Sequence, residues 1–259
     1  MDMFSFRRVC SLLVIMLVAS AVLVASASAE VDVTNEQMTI VEKEQTVHLS
    51  VNEATPWNSK AAATIEEQID NILANAMVLT RNGLSTYNVQ YVRVDTLQTP
   101  GDEYSSASGS YRLYKVNEQD PNYDYYILWM KATGLNNEDG LIPSYLREVK
   151  PGVSLSRYSD VITDWEPITD TATSSGVTIT ASLDVSHGGV TAGISETFDL
   201  QQGHVGPDEL STSGGGYFKP HWNGNYQGSQ GLIGGAEFRV PQGTGYDYDL
   251  SLSVTGAGY

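Results

Sequence analysis

The chain has 259 residues, with 31 Asp and Glu against 14 Lys and Arg, and a net charge of −17. That balance argues against nucleic acid and anionic lipid as electrostatic partners, since both need a basic footprint. The single cysteine, Cys10, lies in the N-terminal apolar stretch, so the rest of the chain offers no disulfide, thiol nucleophile or cysteine zinc site.

Residues 1–29 read as a secretory signal peptide. Arg7 and Arg8 give a positive start, Val9 to Ala25 is an almost unbroken apolar run, and Ala27-Ser28-Ala29 fits an A-x-A cleavage site. The expectation is a protein secreted to the extracellular space or periplasm after cleavage near Ala29. Fifteen tyrosines and 24 glycines favour strands and turns over helices.

Val31 to Asn52 reads as β structure, with Val47, Leu49 and Val51 alternating against His48, Ser50 and Asn52. An amphipathic helix is expected near residues 59–81. Thr55 or Asn58 can cap it, Ile65, Ile69, Ile72, Leu73 and Ala76 form its apolar stripe, and Gly83 suits its end. Strands follow over Tyr87–Leu97, Ser110–Val116 and Tyr125–Thr133. The last is apolar on both faces, which marks a central strand. Pro143, Pro151 and Pro167 should break Leu141–Trp165 into short strands. Thr169 to Ser175 reads as a linker.

The cleanest pattern covers residues 177–200. Val177, Ile179, Ala181, Leu183 and Val185 alternate with Thr178, Thr180, Ser182, Asp184 and Ser186, and Gly188-Gly189 interrupts. Val190, Ala192, Ile194, Phe198 and Leu200 then continue with the phase switched. A two-residue turn at Gly188-Gly189 places Val185 opposite Ala192, Leu183 opposite Ile194 and Ile179 opposite Phe198, all on one face. Glu196, opposite Ala181, is the one charged residue on that face. Gly203 to Gly231 is rich in glycine and aromatics and reads as a long loop or very irregular sheet. Strands through Ala236, Phe238 and Val240, and from Tyr246 to Val254, close the chain.

The fold class expected is mainly β (α+β): antiparallel sheets, one amphipathic helix, and a sandwich-like C-terminal part. Residues 30–168 form an α+β portion and 169–259 a β-sandwich-like portion, unless the two make one continuous domain.

Motifs for catalysis are missing. There is no G-x-S-x-G elbow and no H-E-x-x-H. Asp120, Asn122 and Asp124 open like a calcium loop, but Tyr125 stands where glycine is needed and Lys131 where glutamate is needed. No cofactor is called for and no metal is assigned. Two sites remain. His221, Trp222, Asn223, Asn225 and Tyr226 combine aromatic faces with hydrogen-bonding groups, suiting a glycan or another surface ligand. The hairpin carrying Val177, Ile179, Leu183, Val185, Gly188, Gly189, Ile194 and Phe198 resembles the stem that β-pore-forming toxins insert after oligomerising. Its arms of about 11 residues match the 9–11 of a transmembrane strand. Glu196 counts against insertion. The leading expectation is a non-enzymatic extracellular or cell-surface binding protein. The alternatives are a β-hairpin membrane-permeabilising protein, which alone would have a membrane partner, and a secreted hydrolase.

Overall fold

The computed structural model describes residues 30–32, 38–51, 84–137, 143–168, 171–174, 176–212 and 214–258. The signal peptide expected at residues 1–29 and the helix expected near residues 59–81 lie outside them. In chain order the strands are β1 (Glu30–Asp32), β2 (Thr39–Val51), β3 (Ser85–Tyr87), β4 (Val89–Gln98), β5 (Ser105–Val116), β6 (Tyr123–Asn136), β7 (Ser144–Leu155) and β8 (Val161–Glu166). They continue as β9 (Thr171–Thr173), β10 (Val177–His187), β11 (Val190–Leu200), β12 (Gly203–Pro207), β13 (Tyr217–Phe218), β14 (Pro220–Tyr226), β15 (Ser229–Pro241) and β16 (Tyr246–Gly258). The described residues contain no helix.

Three antiparallel sheets result. The largest has eight strands in the order β1-β2-β16-β7-β14-β12-β9, with β13 beside β7. The second has the order β4-β5-β6-β15-β8 and the third β10-β11-β3. Strands from both sides of residue 168 share both large sheets.

Strand β6 explains the layering. Its burial is nearly continuous, as the doubly apolar sequence predicts for a strand with a layer on each face. On one face Tyr126 packs edge-on against Tyr246 of β16, and Gly134 lies against Val149 and Leu146 of β7. On the other, Tyr125, Trp129 and Lys131 meet the β10–β11 hairpin. The five-stranded sheet is thus a middle layer, closed by β7 and β16 on one side and the hairpin on the other. The buried Tyr111 donates its hydroxyl hydrogen to the Ser251 carbonyl, tying β5 to β16.

Two expectations are corrected and one pair of alternatives is decided. Residues 171–173 are not linker but an edge strand, β9, paired with β12. Of the two readings of the glycine-rich stretch 203–231, the irregular sheet is the one observed: it supplies β12, β13, β14 and the start of β15, with a register shift between Asn223 and Tyr226. Pro151 does not break β7, which runs for 12 residues. Proline lacks a ladder donor, and Pro151 falls where β7 faces the break between β13 and β14.

At Gly134 the sheets approach so closely that an added Cβ would lie 2.4 Å from Val149 Cγ2. Gly134→Ala must displace Val149 and Leu146, and overpacking of this kind costs about 1–3 kcal/mol. Urea unfolding of the purified variant should show that loss.

Candidate functional site

The β10–β11 hairpin turns through Gly188 (φ 53°) and Gly189 (φ 78°), the doubly positive geometry that glycine supplies without strain. Eleven pairs follow without a slip, from His187↔Val190 to Val177↔Leu200. This is the register the sequence predicts. Ala181, Leu183, Val185, Ala192, Ile194, Phe198 and Leu200 are buried, whereas Thr178, Thr180, Ser182, Asp184, Ser186 and Thr191 face solvent. The buried face rests on β15 and β8 of the middle layer, with Trp129 and Lys131 of β6 reaching it.

Polar contacts fix that seat near the middle of the arms and beside the turn. Glu196 is 5% exposed on the apolar face. Its carboxylate accepts from Lys131 Nζ at 2.6 Å and from Trp129 Nε1 at 3.0 Å. The residue that interrupts the sequence pattern therefore has a cation and a donor built opposite it. Nearer the turn, His187 Nε2 lies 2.8 Å from Glu237 Oε1, and the imidazole stacks on Tyr125 at 3.7 Å between centroids. Thr163 donates to the other Glu237 oxygen at 2.6 Å. Burial pushes the Glu237 carboxyl above the usual range, an effect that Thr163 and His187 oppose. The turn abuts the β5–β6 connection, where a Cβ on Gly188 would lie 2.8 Å from Gln119 N.

Few backbone bonds tie this unit to the rest. Strand β3 adds three pairs along β11, and among the described residues no strand lies beside β10 at the other edge of the sheet. Tyr87 donates to Asp184 at 2.8 Å, and Asn88 Nδ2 to the Thr191 carbonyl at 2.7 Å. Under the base of the arms is a cavity of about 310 Å3. Ile179, Ala181 and Phe198 line it from the hairpin, and Glu166, Val205 and Ile233 from the opposite wall.

The other sequence candidate comes apart in space. His221, Trp222, Asn223, Asn225 and Tyr226 form a strand rather than a loop. Period-2 alternation puts Asn223 and Asn225 in solvent, while Trp222 is fully buried and Tyr226 packs against the core. The Trp222 ring covers Gly203 and Gly224, where an added Cβ would come within 2.5 and 2.4 Å of it. It fills the interior and cannot stack on a ligand. Asp120 and Asp124 also work within the fold. Asp120 accepts from Asn122 N at 2.8 Å and closes the turn, and Asp124 pairs with Lys115 at 2.9 Å. Sequence reasoning missed the partners of the hairpin: Trp129 and Lys131 for Glu196, and Glu237 and Tyr125 for His187. The signal that pointed to them was the misplaced charge of Glu196.

No family model and no curated protein matches this chain. A solved structure titled "Pore forming protein" is similar at a TM-score of 0.37 and 10% identity, over 62% of this chain and 78% of that one. A likeness of that size is too slight to bear on what this chain does.

Lys131→Met leaves the buried Glu196 carboxylate without its cation, which costs about 3–5 kcal/mol for a buried pair. Glu196→Gln removes the charge as well as the pair and keeps an acceptor for Trp129, so its loss should be smaller. Chemical unfolding of the two variants side by side checks the order. Trp222→Ala should cost about 3–5 kcal/mol by the same measurement, as for any large buried ring.

Proposed function

We propose that this chain permeabilises membranes. It is secreted by the leader at residues 1–29, and the β10–β11 hairpin leaves its seat to line a transmembrane barrel with hairpins from other copies. The observation that carries the reading is the imbalance of backbone pairing among the described residues: 11 pairs within the hairpin and three to β3. Strand β15, by comparison, pairs along most of its length with β6 and again with β8. The hairpin can depart with its own ladder intact.

The faces suit that departure. Leu183, Val185, Ile194 and Phe198 would exchange the middle sheet for hydrocarbon and stay out of water. Thr178, Thr180, Ser182 and Thr191 would exchange bulk solvent for a lumen. A barrel strand alternates in this way, apolar toward lipid and polar within. Lipid offers no partner to a free strand edge, so spanning requires closure by further copies. The edge of β10, beside which no described strand lies, and the lightly held edge of β11 are where neighbours would add. One residue resists. Glu196 would face lipid near the middle of the arm, where a charged carboxylate costs somewhat less than the ~2–4 kcal/mol of a basic residue. The buried Trp222 leaves the glycan-binding alternative without its stacking ring.

The test is release from dye-loaded liposomes together with single cysteines carrying an environment-sensitive dye, in a Cys10→Ser background. On membranes, dyes at Ile179 and Val190 should report hydrocarbon and be quenched from the lipid phase. Dyes at Thr180, Ser182 and Thr191 should stay in water. Glu196→Gln should release faster than the parent at neutral pH, having neither the Lys131 tie nor a charge to carry inward. Absence of release, or dyes that show no alternation, refutes the reading.

A further inference from the structure

The charges on the solvent face of the hairpin are all of one sign. Residues 177–200 contain no Lys or Arg. Of their four ionisable groups, His187 and Glu196 lie on the face that packs against the middle sheet, paired with Glu237 and Lys131. The other two, Asp184 and Asp199, share the opposite face with threonines and serines. Asp184 stands across from Gly193 and Asp199 across from Thr178. Asp184 is exposed, its carboxylate accepting from Tyr87 of β3, and Asp199 accepts from the hydroxyl of its cross-strand partner Thr178 at 2.8 Å. Thr178 and Asp199 sit at the base of the arms, six ladder positions from Asp184, or about 20 Å at ~3.3 Å per residue.

From this register we infer that the pore is cation-selective, with Asp184 and Asp199 as the residues that set the preference; the inference rests on the hairpin reading above. In a barrel of identical hairpins each acid repeats once per copy at one height, so the two form separate rings at two depths of the lumen. Acidic rings favour cations and exclude anions by the field they set up in a narrow aqueous path. No basic side chain of the hairpin stands near either ring to neutralise it. Tyr87 belongs to β3, so its hydrogen bond to Asp184 ends when the hairpin leaves and that carboxylate is free to face the ions. The Asp199 ring keeps its Thr178 partner, because both are on the hairpin.

The test is a planar bilayer of neutral lipid between two concentrations of KCl, with the full protein on one side. The permeability ratio of potassium to chloride is read from the reversal potential. The wild type should pass potassium severalfold better than chloride. Asp184→Asn combined with Asp199→Asn should bring the ratio close to one with conductance retained, and each single change should give part of that loss. Asp184→Lys, also at an exposed position, should turn the preference toward chloride. Circular dichroism and the thermal midpoint of each variant establish that it folds before it is used. An anion-selective wild type, or a ratio unmoved by the double change, overturns the inference and leaves the hairpin reading standing. A wild type that opens no channel defeats both.

Discussion

A strand that is apolar on both faces has to be covered twice, and β6 sets that requirement for the whole molecule. Residues Tyr125 to Met130 are all buried, with even-numbered side chains against β7 and β16 and odd-numbered ones against the hairpin. Burying a large side chain contributes about 1.5–3 kcal/mol, so leaving either face open would be costly. The two covers are built differently. The β7 and β16 side belongs to a continuous eight-stranded ladder, and long backbone pairing holds it in place. The hairpin side is held mainly by side chains, through an apolar face, the Glu196–Lys131 ion pair and the His187–Glu237 contact, with three backbone pairs to β3.

That difference leaves one cover held by long backbone ladders and the other mainly by side chains. A purely apolar hairpin face would seat wherever it met enough greasy surface. Glu196 and His187 fix the position, because each needs its partner once water is excluded. Their net contribution to stability is small beside the penalty for misplacing them. The geometry therefore favours a single seat without making it deep. The cavity beneath Ile179 and Phe198 has the same consequence, since the base of the arms lacks contacts that closer packing would supply.

Much of this was legible in the sequence. Gly188-Gly189 with a phase switch gave the hairpin its register, since only one pairing keeps the apolar residues together. The double apolar run in β6 announced a central strand, and the alternation from Tyr246 to Val254 announced β16. Residues 203–226 left loop and irregular sheet undecided for a physical reason. Glycine is the mark of a loop when the chain needs positive φ, and equally of a strand on which a large ring lies flat. Gly203 and Gly224 are there for Trp222, a contact between neighbouring strands that no local pattern records. Strand β9 was hidden because three small residues, Thr171-Ala172-Thr173, carry no alternation and need only an edge to pair with. The partners of Glu196 were hidden because Lys131 is 65 positions away in the chain.

The strand order also bears on how the protein is made. Strand β15 lies between β6 and β8, and β16 lies between β2 and β7. Both large sheets thus keep a gap at their centre until the last two strands are present. The hairpin can zip unaided within about 1–10 μs of its synthesis, but its seat on β15 does not yet exist. The pairing of the hairpin is therefore local and independent of its seat, whereas neither large sheet is continuous until β15 and β16 take their places within it.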